Sequence, residues 1–216
     1  MMLVAMLAFS LAASANACAE ETGNPLILPE PTEAKPLKFT STAGSITLNF
    51  MSLGLVCLSG SSSGEFTSKR LGKITMSFSR CEAKNPPISC RSQGDERGVI
   101  LFIEADLHLV AFKVGSELRV GVVIKLAKAI KIECTDGTFE WRGSVIAPLS
   151  GVSGKTKTAT FSFSSIHECE LDKEFCFEGS VHRKFKLEWA SSSEFMSLSI
   201  ERADSVTFET EVLFDF

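Results

Sequence analysis

Apolar and polar side chains alternate one for one along most of the chain beyond Phe39. Ile46, Leu48 and Phe50 form one such run. Ile74, Met76 and Phe78 form another, with Thr75, Ser77 and Ser79 on the opposite parity, and Phe161 and Phe163 stand against Ser162 and Ser164. Toward the end Val181, Phe185, Leu187 and Trp189 oppose His182, Lys184, Lys186 and Glu188. Met196, Leu198 and Ile200 oppose Ser197, Ser199 and Glu201, and Val206, Phe208, Val212 and Phe214 close the series. A period of two sends successive side chains to opposite faces of a pleated strand, so each run predicts a strand with one buried and one wet face. Arg183 falls on the apolar parity of its run, which places it at a rim or beside a carboxylate, because an unpaired buried guanidinium is too costly.

Turn signals separate the runs at short intervals: Val114-Gly115-Ser116, Thr135-Asp136-Gly137, Ala190 to Ser193, and Ala203-Asp204. Strands this closely spaced pair as antiparallel hairpins. Only Ile124 to Ile132 can be read as a helical turn, and its flanks are β-branched. No stretch has a sustained helical period, which excludes a parallel sheet with crossover helices. The expectation is an all-β fold, an antiparallel β-sandwich or barrel of about ten to twelve strands.

Residues 1–17 read as a signal peptide: the apolar run from Met1 to Ala13 is shorter than the roughly 20 residues of a membrane span, and Ala15-Asn16-Ala17 carries the small residues of a cleavage site. No Lys or Arg precedes Lys35. Cys18 directly after Ala17 is a candidate for lipid attachment, although Ala15 stands where a lipobox carries Leu. Residues 18–38, with Pro25, Pro29, Pro31 and Pro36 among polar residues, read as a flexible linker. The single domain is then 39–216, large enough to bury a real core.

A net charge of -4 argues against a nucleic-acid partner, which needs a basic stripe. The aromatic set is lopsided, with 17 Phe, two Trp and no Tyr. Phe has no polar handle, so this set reads as core filling rather than as an exposed recognition platform.

Six cysteines remain after Cys18, and an even number in an exported chain points to disulfides. Proximity favours Cys81 with Cys90 and Cys169 with Cys176, leaving Cys57 with Cys134. There is also an internal echo: Lys73 to Ser79 followed by Cys81 and Cys90 parallels Thr158 to Ser164 followed by Cys169 and Cys176.

The segment from Cys57 to Cys90, with Ser-rich Gly60 to Gly64, Glu65-Phe66-Thr67, Gly72 to Phe78 and Cys81, resembles a group of secreted β-rich proteins of actinobacteria. Arg142-Gly143-Ser144-Val145-Ile146-Ala147-Pro148 resembles a second landmark of that group. The similarity covers roughly residues 45 to 165. It implies a bacterial extracytoplasmic location and carries no catalytic residues.

Candidate chemistry is sparse. Gly60-Ser61-Ser62-Ser63-Gly64 spells the G-x-S-x-G of a nucleophile elbow, but a strand rather than a helix follows, against the context that motif requires. His167, Glu168, Cys169, Glu170 and His182 offer metal-ligand types on neighbouring segments, yet His182 lies on the solvated parity with Lys184. His108, between Leu107 and Leu109, reads as a residue on the wetter face of its strand. Glu104 with Asp106 and Glu209 with Glu211 read as solvent-facing charges that blunt a sheet edge. The terminal Phe216 suits the last strand of an outer-membrane barrel, but the absence of Tyr and the many charged strands oppose that reading. No catalytic, cofactor-binding or metal residue is assigned. The expected function is a non-enzymatic binding or structural module of the cell envelope or secreted fraction, meeting a ligand or envelope protein. The alternatives are a secreted hydrolase with a dispersed site and a barrel carrier of an apolar ligand, the latter requiring an unfilled interior.

Overall fold

The computed structural model describes residues 25–50, 53–84, 87–114, 117–135, 137–163, 169–177, 180–185, 187–190, 196–197 and 199–215, and between 163 and 202 it describes backbone only. Sixteen strand segments follow one another. They are β1 (Leu26–Leu28), β2 (Leu37–Ala43), β3 (Ile46–Phe50), β4 (Leu53–Phe66), β5 (Leu71–Lys84), β6 (Pro87–Ser92), β7 (Ile100–Val114) and β8 (Glu117–Leu126). Then come β9 (Ile130–Cys134), β10 (Gly137–Ser150), β11 (Thr156–Phe163), β12 (Cys169–Phe177), β13 (Ser180–Phe185), β14 (Leu187–Ala190), β15 (Met196–Ser197) and β16 (Ser199–Asp215).

Fourteen of these strands form one sheet, and its antiparallel pairings close a ring. Going round, β2 pairs β4, β4 pairs β5, β5 pairs β7, β7 pairs β8, β8 pairs β10, β10 pairs β11, β11 pairs β16, and β16 returns to β2. Between sandwich and barrel, the pairings select an eight-stranded barrel with up-and-down order, which removes free edges from the ring.

The sixteen segments outnumber the expected ten to twelve strands because two long strands are broken and counted twice, which leaves fourteen, and because β1 and β15, of three and two residues, are too short to show a period. β2 and β3 meet β4 in one continuous register on either side of Gly44-Ser45. Likewise β8 and β9 both run along β10, and the segment from Ile124 to Ile132 is a broken strand without a helical turn. Between those two partners β10 slips its register by two residues. The slip falls at Gly143, whose φ of +106° is a conformation that suits glycine.

The segment expected as linker is partly built into the fold. Leu26, Ile27 and Leu28 pair with Asp215, Phe214 and Leu213, and Ile27 is fully buried. Three residues are too short a run to show a period, which is why proline content dominated the reading.

Inside the ring the parity argument holds. Phe39 and Leu37 on β2, Ile74, Met76 and Phe78 on β5, Phe161 on β11, and Val206, Phe208, Val212 and Phe214 on β16 are all buried. Lys38, Thr40 and Thr42 alternate with them and are exposed. The run from Val181 to Trp189, expected as one strand, is divided between β13, which pairs β12, and β14, which pairs β10 in the large sheet, and the burial of Val181, Phe185, Leu187, Trp189 and Arg183 lies outside the described side chains.

A second layer covers part of the outer wall. Val110, Val123, Ile146 and His108 are buried yet stand outside the interior cluster. β12 and β13, a separate two-stranded ribbon, pack against β7 and β10 respectively. Among the described residues no helix is long and apolar enough to cross a membrane.

Candidate functional site

The barrel interior is filled rather than hollow around Phe39. Its ring centroid lies 5.7 Å from that of Phe66, 6.2 Å from Phe161 and 6.0 Å from Phe208, so side chains from four strands meet there. These separations fall in the range of favourable tilted and edge-to-face aromatic pairs. Gly64 makes room for this cluster: a Cβ at that position would come within 2.5 Å of Phe39 Cζ and of the Lys73 carbonyl. A polar group interrupts the apolar interior where β2, β4 and β16 meet. The Ser41 and Ser62 hydroxyls hydrogen-bond each other, and Ser41 Oγ also donates to Asp204 Oδ2 at 3.4 Å. Asp204 is 1% exposed.

The outer wall has the opposite character and a regular layout. Thr160 on β11 is paired with Ser205 on β16, Ser205 with Thr42 on β2, Thr42 with Ser61 on β4, and Ser61 with Ser77 on β5. A second row runs parallel through Thr158, Thr207, Thr40, Ser63 and Thr75. Each of the five strands therefore contributes two hydroxyl side chains two residues apart, all exposed or half-buried. Strand spacing of about 4.8 Å and a rise of about 3.3 Å per residue make this a field roughly 19 Å wide, with rows about 7 Å apart.

Beyond the hydroxyl rows lies a row of alternating charge. Lys38, Glu65, Lys73, Asp106 and Lys125 face one another in succession across β2, β4, β5, β7 and β8. The Glu209 carboxylate extends it by accepting a hydrogen bond from the Lys38 backbone N–H at 3.2 Å. Where this row meets the hydroxyl rows a groove of about 400 Å³ opens, lined by Lys38, Thr40, Ser63, Lys73, Thr75 and Glu104 among others. Glu104, at φ +60°, sits in the bulge that shifts β7 against β5. A wall of hydroxyls and charges is the inverse of a lipid-facing band, so this face of the barrel meets water.

One pair of cysteines lies at the other end of two of the same strands. Cys57 is bonded to Cys81 across β4 and β5, and Cys90 to Cys134 across β6 and β9. The pairings expected from proximity, Cys81 with Cys90 and Cys57 with Cys134, are corrected. The reason is register: reflection through the β4–β5 turn at Lys69 carries residue 57 onto residue 81. Cys169 and Cys176 lie at the two ends of β12, opposite Phe185 and Val181, and their side chains lie outside those described.

Gly60 to Gly64 is continuous strand within β4, with Ser62 turned inward and Ser61 and Ser63 outward, so no elbow exposes a nucleophile. His108 is not on a wet face. It is 8% exposed beneath the second layer, and burial, followed by the positive charge of Arg70, lowers its pKa to about 4. Glu209 and Glu211 are exposed. His167 lies outside the described residues, as does the His182 side chain. Among the described residues no three His, Cys, Asp or Glu side chains converge as metal ligands.

The hydroxyl rows were not singled out from the sequence. Their signal is the repeated pair of Ser or Thr two residues apart at Thr40, Ser61, Thr75, Thr158 and Ser205, which gains meaning only once register aligns the pairs. Comparison with known proteins places no family model, curated protein or solved structure alongside the chain.

Proposed function

We propose that the protein is an exported, non-enzymatic binding module of the bacterial cell envelope or secreted fraction, and that it meets its partner through the polar outer wall of β11, β16, β2, β4 and β5. The observation that carries this reading is the division of labour between faces: phenylalanines pack the interior, while ten hydroxyl side chains stand in two registered rows outside. The filled interior around Phe39 leaves no room there for an apolar ligand, whose carriage needs an open cavity. Two disulfides agree with an oxidising compartment outside the cytoplasm. Export through residues 1–17, attachment through Cys18 and kinship with the actinobacterial secreted group belong to the same proposal. A partner suited to this wall is extended and polar, able to exchange hydrogen bonds with many shallow hydroxyls.

Co-sedimentation of the purified protein with insoluble cell-wall material tests the reading. The wild type is expected in the pellet, and the Ser61→Glu, Ser63→Glu double variant in the supernatant with an unchanged melting temperature. Equal pelleting of both proteins would place the partner on another face.

A further inference from the structure

A second concave site lies beside the Cys57–Cys81 bridge, away from the hydroxyl rows. It is a cleft of about 280 Å³ on the outer face, walled by Val56 and Leu58 of β4, Arg80 and Glu82 of β5, Ser89 of β6, and Arg97 of the following loop. Its volume is near the lower end of small-molecule sites, about 300 Å³. Leu58 is 51% exposed, one of two large exposed apolar side chains among the described residues.

The charges in this cleft are uncommitted. Next door Arg91 is engaged twice, with Glu133 Oε2 at 3.2 Å and with the Asp95 carbonyl at 3.2 Å. Among the described residues Arg80, Glu82 and Arg97 make no ion pair and no side-chain hydrogen bond, although both signs line one small space. The backbone at Arg80 is also unusual, with φ +51°, a conformation that non-glycine residues rarely hold and that tends to collect at ligand sites. It is held there by its flanks: Ser79 Oγ lies 2.6 Å from Ser59 Oγ, and the Cys81 N–H donates to the Gly98 carbonyl at 2.9 Å. The disulfide at Cys81 fixes the floor of the cleft, and the Gly98 carbonyl ties the backbone next to Arg97 to β5.

We infer that this cleft binds a small apolar amino acid as its zwitterion, with the carboxylate between Arg80 and Arg97, the ammonium at Glu82 and the side chain on Val56 and Leu58. A guanidinium matches a carboxylate with two parallel hydrogen bonds, and the lone carboxylate supplies the complementary anion. The groups are solvent-exposed, so the affinity is modest, with Kd on the order of 1 mM. The site is independent of the hydroxyl wall, and either can fail without the other.

Ligand-detected NMR titration with L-leucine as the probe tests it, using leucine amide and N-acetyl-leucine as analogues. Leucine should saturate. Removal of either charge should weaken binding about tenfold or more, the equivalent of one charge-assisted hydrogen bond. The variants Arg97→Ala and Arg80→Gly, the latter keeping the backbone comfortable at positive φ, should lose binding while melting as the wild type does. Absence of saturable binding, equal binding of leucine amide, or undiminished binding by the folded Arg97→Ala variant would overturn the inference. Equal binding of N-acetyl-leucine would overturn it too, by removing the role of Glu82.

Discussion

Ser41 Oγ donates a hydrogen bond to Asp204 Oδ2 inside the barrel, joining β2, the first strand of the ring, to β16, the last. The sheet closes across this seam, and the bond is made by a carboxylate shielded from water. Asp204→Ala should therefore cost about 1–3 kcal/mol in urea unfolding, the range for a buried hydrogen-bonded polar group. Glu209→Ala on the same strand but exposed should cost less than about 0.5 kcal/mol. Similar losses for both would show that the Ser41–Asp204 bond contributes nothing to closure.

Phe39 tests the packing of the interior. Its ring meets Phe66, Phe161 and Phe208, and cutting it back to Ala should cost about 3–5 kcal/mol, whereas Thr40→Ala one residue away should cost under about 0.5 kcal/mol. Chemical denaturation of the two variants distinguishes a filled core from a hollow one, in which Phe39 would be nearly as dispensable as Thr40.

Much of this was legible in the sequence because one parity governs long runs. Ile74, Met76 and Phe78 read directly as an inner face, and Val206, Phe208, Val212 and Phe214 as another. What was not legible depends on layers and register. His108 has the polar parity of its strand, and nothing local shows that the outer side of β7 is covered. The cysteines were paired by proximity along the chain, although the turn at Lys69 already sets Cys57 opposite Cys81. Of the echo, Lys73 to Ser79 and Thr158 to Phe163 lie on two ring strands, Ser164 lies outside the described residues, and Cys81 and Cys90 are not bonded to each other.

The burial of His108 gives a pH signature. Its folded pKa of about 4 is below the ordinary 6.5, so between these values the unfolded chain binds a proton that the fold excludes. Stability should rise as pH increases from about 4 to about 6.5 and then level off, a gain of about 3 kcal/mol from this residue. Urea midpoints measured across that window should show the slope, and His108→Leu should flatten it. A slope retained in that variant assigns the effect to other groups.

The bridges predict a specific peptide map. Alkylation without reductant should label none of Cys57, Cys81, Cys90 and Cys134, and proteolysis should yield fragments linking 57 to 81 and 90 to 134. On the loop-entropy account, opening them should cost about 3.5 and about 4 kcal/mol for separations of 24 and 44 residues. A fragment linking 57 to 134 contradicts the register of β4 and β5.

Closure of the ring matters most, because the pairing of β16 with β2, continued along β16 by its pairing with β3, makes the hydroxyl rows continuous and seals the interior. Thr40 and Thr207 face each other directly across that seam, and both are exposed. The double variant Thr40→Cys, Thr207→Cys places two thiols at a separation that opposed strand residues share with natural disulfides, about 4.5–5.5 Å between Cα atoms. Mild oxidation followed by peptide mass spectrometry should recover a 40–207 linked fragment from monomeric protein. Two free thiols at these positions in folded, oxidised monomer would contradict closure of the barrel, and with it the continuous outer wall.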